Sequence, residues 1–340
     1  MPMTPGHRKR FGRVDLEVTA FSFGTAPIGN IFRPIPETDA EAMFATAWDA
    51  GVRYFDTAPY YGHGLAELRT GHGLRWQRRD DFVLSTKVGR LLKPARRETI
   101  DFAPWTDAAP FTITYDYSYD GVMRSFEDSL QRLALERIDI LFLHDIDVFT
   151  RGAEQPAVFA EAMDGAWRAL ASLREQGAVK AIGVGVNEWE VCQAALERRD
   201  FDCFLLAGRY TLLEQDSLNT FLPLCEERGA AVVVGGGFNS GILATGAREG
   251  AKYNYAPAPA AILDTVARIE RVCAAHAVPL PAAALQFVVA HPAVASFCAG
   301  TRTVGQLRQN LAWFAHPIPA DFWVELKHEG LLREDAPVPA

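Results

Sequence analysis

The 340-residue sequence lacks the marks of several common protein classes. Cysteine is scarce: Cys192, Cys203, Cys225, Cys273 and Cys298 are odd in number and far apart. They form neither a disulfide framework nor a C-x-x-C metal site, and they read as reduced, buried thiols. The eight histidines are scattered, with no H-E-x-x-H or Cys/His cluster, so no metal is expected. There is no basic surplus, since 34 Lys+Arg stand against 42 Asp+Glu for a net charge of −8. That balance argues against nucleic acid, which needs cations to neutralise phosphates. No apolar run reaches the ~18 residues of a membrane span. Arg8-Lys9-Arg10 leads into Phe11-Gly12-Arg13-Val14-Asp15 rather than a signal-peptide core. A cytoplasmic protein with a small-molecule partner, away from membranes, is the expectation. G-x-G-x-x-G after a strand, G-x-x-x-x-G-K-[ST] and G-x-S-x-G are all missing, which removes the main warrant for a Rossmann domain, a P-loop or a serine hydrolase.

What the chain does contain is a repeated alternation of short apolar runs and amphipathic stretches. Phe21–Thr25 precedes a helix over Asp39–Ala50, with Asp39 as its expected cap and Gly51 as its stop. Arg53–Thr57 precedes Leu65–Leu74, Phe82–Lys87 precedes Gly121–Leu133, and Ile138–Leu143 precedes Val158–Glu175. The second half repeats the scheme with Val179–Val186 and Glu190–Glu197, Phe201–Ala207 and Leu218–Glu227, Ala231–Gly235 and Ala261–Ala275, and Val294–Gly300 and Val304–Phe314. Runs such as Ala231-Val232-Val233-Val234 are apolar on both faces, as in a covered parallel sheet. Eight such units without a linker predict an α/β fold, a single (β/α)₈ TIM barrel over residues 1–340. An open doubly wound sheet is the second choice, weakened by the missing glycine fingerprint.

Two long connections interrupt the rhythm: Gly89 to Tyr119 after the third strand and Phe238 to Pro259 after the seventh. Loops of that length are usually functional, and both are expected to cover a ligand. Pro281–Ala290 reads as an extra helix.

In a barrel, chemistry sits at the C-terminal ends of the strands. Asp56, Lys87 and His144 each end a predicted strand, and Tyr60 and Tyr61 follow closely after Asp56. The sequence pattern alone does not choose between the two tyrosines. An Asp, Lys, Tyr and His set on one face suits proton transfer to and from an oxygen.

The stretch Gly51-Val52-Arg53-Tyr54-Phe55-Asp56-Thr57-Ala58-Pro59-Tyr60-Tyr61-Gly62 resembles the aldo-keto reductase signature. Ser85-Thr86-Lys87, Ile138 to His144, and Ala299-Gly300-Thr301-Arg302-Thr303 with Gln309-Asn310 match further motifs in family order. The resemblance runs from about Gly12 to Phe314. It implies a barrel that binds a nicotinamide cofactor without a Rossmann motif. It also implies Tyr61 as acid or base, Lys87 favouring its phenolate, Asp56 holding Lys87, and His144 orienting the substrate oxygen. For the cofactor it implies Gly24 and Thr25 under the nicotinamide, with Phe238, Ser240, Gly241 and Ile242 over the pyrophosphate. Gly300, Thr301, Arg302, Gln306 and Asn310 would hold the adenosine end. Asn187 matches the carboxamide-binding position, although Gly183-Val184-Gly185-Val186-Asn187 departs from the usual G-V-S-N by one place. Gly235 stands where members usually carry a stacking tyrosine, leaving apolar contact to Phe238. Gln306 stands where NADP-preferring members place an arginine, which leans toward NAD, with NADP left open through Arg302.

The runs Tyr115 to Gly121, Phe142 to Asp147 and Gly183 to Trp189 are similar to a subgroup that oxidises sugars at the anomeric carbon and includes pyridoxal 4-dehydrogenases. An aldose 1-dehydrogenase of the L-fucose or D-threo-aldose type is therefore expected, with Trp105, Phe111 and Tyr115 forming a substrate wall. Pyridoxal oxidation and NADPH-dependent aldehyde reduction are the alternatives within the enzyme class. A non-catalytic nicotinamide-binding subunit is the alternative outside it.

Overall fold

The computed structural model describes residues 3–339. Eight parallel strands close into a barrel in chain order. They are β1 (Phe21–Gly24), β2 (Tyr54–Asp56), β3 (Val83–Val88) and β4 (Ile140–His144). The second half supplies β5 (Ala181–Val186), β6 (Cys203–Ala207), β7 (Ala231–Gly235) and β8 (Val294–Gly300). The ring closes where β8 pairs with β1, Gly300 facing Gly24.

Side chains alternate across a strand, and this divides the core in two. Phe23, Phe55, Leu84, Leu141 and Leu143 point outward into the large cluster shared with the helices. Tyr54, Val83, Ile140, Phe142, Leu205 and Val233 fill the barrel interior. The same alternation carries Asp56, Lys87 and His144 to the inner face, nearer the C-terminal ends of their strands than Tyr54, Val83 and Phe142. In the corresponding end layer, β1, β6, β7 and β8 present Gly24, Ala207, Gly235 and Gly300. The lower end is closed by an antiparallel hairpin, Arg8–Arg10 with Glu17–Thr19. Phe11 and Val18 join the interior cluster, and the Phe11 ring meets Tyr54 edge-on at 6.5 Å.

Several expected boundaries move for identifiable reasons. The first helix begins at Glu37 behind Pro36, so Asp39 lies inside its first turn and does not cap it. Gly51 takes φ +84° just past its end. The helix after the long third connection starts at Tyr119, because Ser118 Oγ accepts from Gly121 N–H at 3.0 Å. The predicted helix over Val158–Glu175 spans Gln155–Glu161 and Trp167–Glu175 joined by a π-turn at Ala162–Ala166. A Cβ on Gly165 would stand 3.0 Å from the Tyr117 carbonyl, so this turn brings two backbones together. Helix Leu280–Ala290 agrees with the extra helix expected there and is buried along its length except at its last residue. A further helix, Ala320–His328, lies beyond the last βα unit. All five cysteines are buried and free. Among the described residues no single helix is long and apolar enough to cross a membrane.

The long connection after β3 is not irregular. It folds as an antiparallel hairpin, Arg90–Pro94 paired with Phe111–Tyr115, with Arg90 opposite Tyr115. Its tip returns toward the barrel, where Trp105 bridges to Ile31.

Candidate active site

At the barrel mouth Lys87 Nζ donates to Asp56 Oδ2 at 2.7 Å and to the Thr57 carbonyl at 2.8 Å. Ser85 Oγ donates to the other Asp56 oxygen at 2.7 Å, so both carboxylate oxygens are engaged. Lys87 Nζ lies 4.6 Å from the Tyr61 ring centroid. Burial works against the lysine's charge, yet Asp56 and Tyr61 overcome it and hold the Lys87 pKa above its ordinary value. For Tyr61 burial prevails: it raises the phenol's pKa despite the opposing pull of the Lys87 ammonium. Tyr61 is therefore a neutral phenol at rest, with a cation beside it that favours proton loss.

The loop from β2 fixes Tyr61 through a close backbone crossing. Gly62 has φ +64°, and a Cβ there would stand 2.4 Å from the Gly29 carbonyl oxygen, so only glycine fits. Tyr61 faces His144 edge-on, with ring centroids 5.9 Å apart. Trp105 lies 5.9 Å from Tyr61 and 5.2 Å from Tyr60, and is 4 % exposed. The four candidate groups and Trp105 thus converge.

Beside them opens a cavity of about 680 Å³, whose lining includes Asp56 and Tyr61. From the residues matched to the cofactor its lining takes Gly24, Gly235, Phe238, Ser240 and Gly241. Gly300, Thr301, Arg302, Gln306 and Asn310 line it as well. A Cβ on Gly235 would meet only Leu205 Cδ2, at 3.6 Å, and one on Gly241 would meet nothing within 4 Å. These glycines leave space rather than relieve a clash, and the volume is of the order of small-molecule and cofactor sites.

Other expected residues lie elsewhere. Ile242 is 1 % exposed and packs in the core. Asn187 is outside the cavity lining; its backbone N–H donates to Asp147 Oδ2 at 2.7 Å, and its side chain faces the Tyr255 hydroxyl at 3.5 Å. Thr25 lies behind β1's end, with a buried hydroxyl that has no partner. Phe111 presents its carbonyl to His63 Nδ1 at 2.6 Å. Tyr115 does not reach the tetrad directly: it accepts from Arg90 Nη2 at 3.2 Å and lies beneath the Arg151 guanidinium, 3.9 Å from its ring centroid.

Sequence reasoning missed Arg90, Asp145, Tyr117, Tyr255 and Cys298. Tyr255 and Cys298 line the cavity. Cys298 and Gly24 explain each other, since a Cβ on Gly24 would come within 2.8 Å of the Cys298 sulfur. The available signal was parity, because Cys298 shares its inward face with Gly300. Arg90 carried a weaker one, as a charged residue immediately after Gly89, whose φ is +103°.

The profile of the Aldo/keto reductase family matches residues 20–328. The chain is 45% identical to pyridoxal 4-dehydrogenase of Microbacterium luteolum, covering 98% of this chain and 100% of that one. It is 40% identical to D-threo-aldose 1-dehydrogenase of a Pseudomonas species, over 93% and 95% of the two chains. Among solved structures, an aldo-keto reductase of Bacillus halodurans in its holo form superposes with a TM-score of 0.74 at 25% identity, covering 98% of this chain and 97% of that one. The chain belongs to the aldo/keto reductase family. It is an oxidoreductase, and its cofactor is a nicotinamide dinucleotide.

Proposed function

We propose that the enzyme oxidises a cyclic hemiacetal to a lactone, with NAD⁺ as the oxidant. The observation that carries the reading is the meeting of Asp56, Lys87, Tyr61 and His144 at the edge of a glycine-walled cavity. Gly24, Gly235, Gly300 and Asn310 would hold the cofactor, which when bound accepts the hydride from the hemiacetal carbon. Tyr61, once its own proton has passed to solvent with the help of the Lys87 ammonium beside its ring, takes the hydroxyl proton as a phenolate; His144 donates a hydrogen bond to the same oxygen and fixes its direction. Asp56 keeps Lys87 charged and in place.

The relatives support this chemistry, since an aldose and pyridoxal each offer a hemiacetal carbon to the same groups. The aldose, of the L-fucose or D-threo-aldose type, is the principal substrate reading. The edge-to-face aromatic corner of Tyr60 and Trp105 favours a second one, in which a flat pyridine ring lies against one of its faces. NAD is favoured because Gln306 is neutral and turns its oxygen to the Arg302 backbone N–H at 2.9 Å. Arg302 is itself engaged with the Ile31 carbonyl.

The test is the initial rate of NAD⁺ and NADP⁺ reduction with L-fucose, D-arabinose, L-galactose and pyridoxal. Lactone formation from one of the sugars with NAD⁺ supports the principal reading, and a response to pyridoxal alone selects the second. Silence with all four, alongside rapid NADPH-dependent aldehyde reduction, rejects hemiacetal oxidation.

A further inference from the structure

The His144 ring touches a group outside the four just described. Arg90, in the first strand of the hairpin after β3, reaches back with Nη1 2.9 Å from His144 Nδ1. A guanidinium has only donors, so the ring nitrogen it meets must be the acceptor. The remaining proton of a neutral imidazole is then on Nε2. The arginine is held through both terminal nitrogens, while its buried Nε has no partner. Its Nη2 donates to Asp145 Oδ2 at 2.6 Å and to the Tyr115 hydroxyl at 3.2 Å, and its guanidinium lies 4.3 Å from the Tyr60 ring centroid.

Asp145 is itself fixed. It has φ +53°, and Tyr117 donates its hydroxyl to the carbonyls of His144 and Asp145, at 2.7 and 3.0 Å. Arg90 is 3 % exposed and His144 7 %.

We propose that Arg90 is a positioning residue that locks His144 as the neutral Nε2–H tautomer, making it a fixed donor that cannot serve as the proton acceptor. This rests on the functional reading above and assigns the base to Tyr61 by exclusion. The charged and titratable groups around the ring are Arg90 from the hairpin, Lys87 from β3, Asp145 beyond β4, and Tyr60 and Tyr61 from the loop after β2. Two of them are cations close to the ring. Burial, then Arg90 and Lys87, holds the imidazole well below its ordinary pKa. Asp145 Oδ1 is 3.6 Å from His144 Nε2, beyond hydrogen-bond range, and its other oxygen is taken by Arg90.

The experiment reads the ring nitrogens of His144 directly, by ¹⁵N NMR of the full-length protein without ligand from pH 5 to 9, with His144→Asn giving the assignment. The expected wild-type result is an Nε2–H pattern that does not change with pH. In Arg90→Met and in the gentler Arg90→Lys, the ring is expected to show both tautomers or to titrate within that range. The oxidation kcat of Arg90→Met is expected to fall about 10- to 100-fold, with an inflection near pH 6.5 that the wild type lacks. A wild-type ring that titrates in this range, or carries its proton on Nδ1, overturns the proposal without any variant. So does an Arg90 variant whose ring signals match the wild type. Loss of turnover in Tyr61→Phe tests the catalytic reading separately, because the ring spectrum does not depend on turnover.

Discussion

Lys87 and Asp56 form an ion pair 2.7 Å long with both side chains at most 3 % exposed. Removing one partner strands the other's charge in the interior, which costs about 3–5 kcal/mol. Lys87→Met is expected to lower unfolding stability by about that amount, read from urea titrations, and to abolish the help that Tyr61 receives in losing its proton. Retained stability in the variant would show that Ser85 alone can satisfy the carboxylate.

Tyr61→Phe removes the proposed acid/base group without changing the ring's packing against Trp105 and His144. A fall in kcat of about 10²–10⁴-fold is expected, with cofactor affinity by fluorescence titration unchanged. In the wild type, burial raises the Tyr61 pKa above 10, so the protonated form dominates at neutral pH. Oxidation, which needs the phenolate, should therefore accelerate with rising pH through the alkaline range. Aldehyde reduction, which needs the phenol, should stay level there.

His291 offers a separate, stability-linked pH effect. Its side chain is 3 % exposed, and burial followed by the nearby Lys9 charge lowers its pKa to about 4. Below the ordinary value of about 6.5 the unfolded chain binds the proton and the folded chain does not. The stabilisation is thus complete above pH 6.5, is lost as the pH falls toward 4, and is roughly 3 kcal/mol at full extent. Urea midpoints at pH 7 and pH 4.5 should differ, and His291→Asn should shrink the difference.

Gly235→Val should fill cavity space rather than disturb the fold. The first added carbon is at ordinary contact distance from Leu205, and a β-branched residue suits a strand end. The expected outcome is a thermal midpoint close to wild type with at least tenfold weaker NAD⁺ binding. Gly237→Ala is the contrasting case, since its Cβ would stand 2.2 Å from the Phe297 ring, and there the midpoint should drop.

Gln306→Arg places a guanidinium at the start of helix Val304–Phe314, on the cavity wall. The ratio of kcat/KM for NADP⁺ to that for NAD⁺ should rise, because the added cation can pair with a 2′-phosphate. An unchanged ratio would place the adenosine end elsewhere.

The barrel was legible because its strands are short, apolar and regularly spaced, and because alternation alone brings Asp56, Lys87 and His144 to one inner rim. The hairpin over Arg90–Pro94 and Phe111–Tyr115 was not. Its first strand mixes a proline with two charges, and although Phe111–Tyr115 alternates as a strand would, its partner across the hairpin carries no matching pattern. Arg90 escaped for the same reason: the role proposed for it rests on a contact with His144, 54 positions away, that only the hairpin's path creates. Ile242 lies in the recognised stretch after β7, but the short turn there sends its side chain into the core while its neighbours Ser240 and Gly241 face the cavity.

The alternation of small and charged residues around the rim also divides it by task. From β6 through β8 to β1 the inward positions are Ala207, Gly235, Gly300 and Gly24, which yield room; from β2 to β4 they are Asp56, Lys87 and His144, which bring ionisable groups. On the proposed function, the hairpin segment that brings Trp105 to Tyr61 enters between β3 and β4, while most residues proposed to hold the cofactor follow β7 and β8. That reading puts cofactor choice and substrate choice on separate stretches of chain, each open to redesign while the other is left intact.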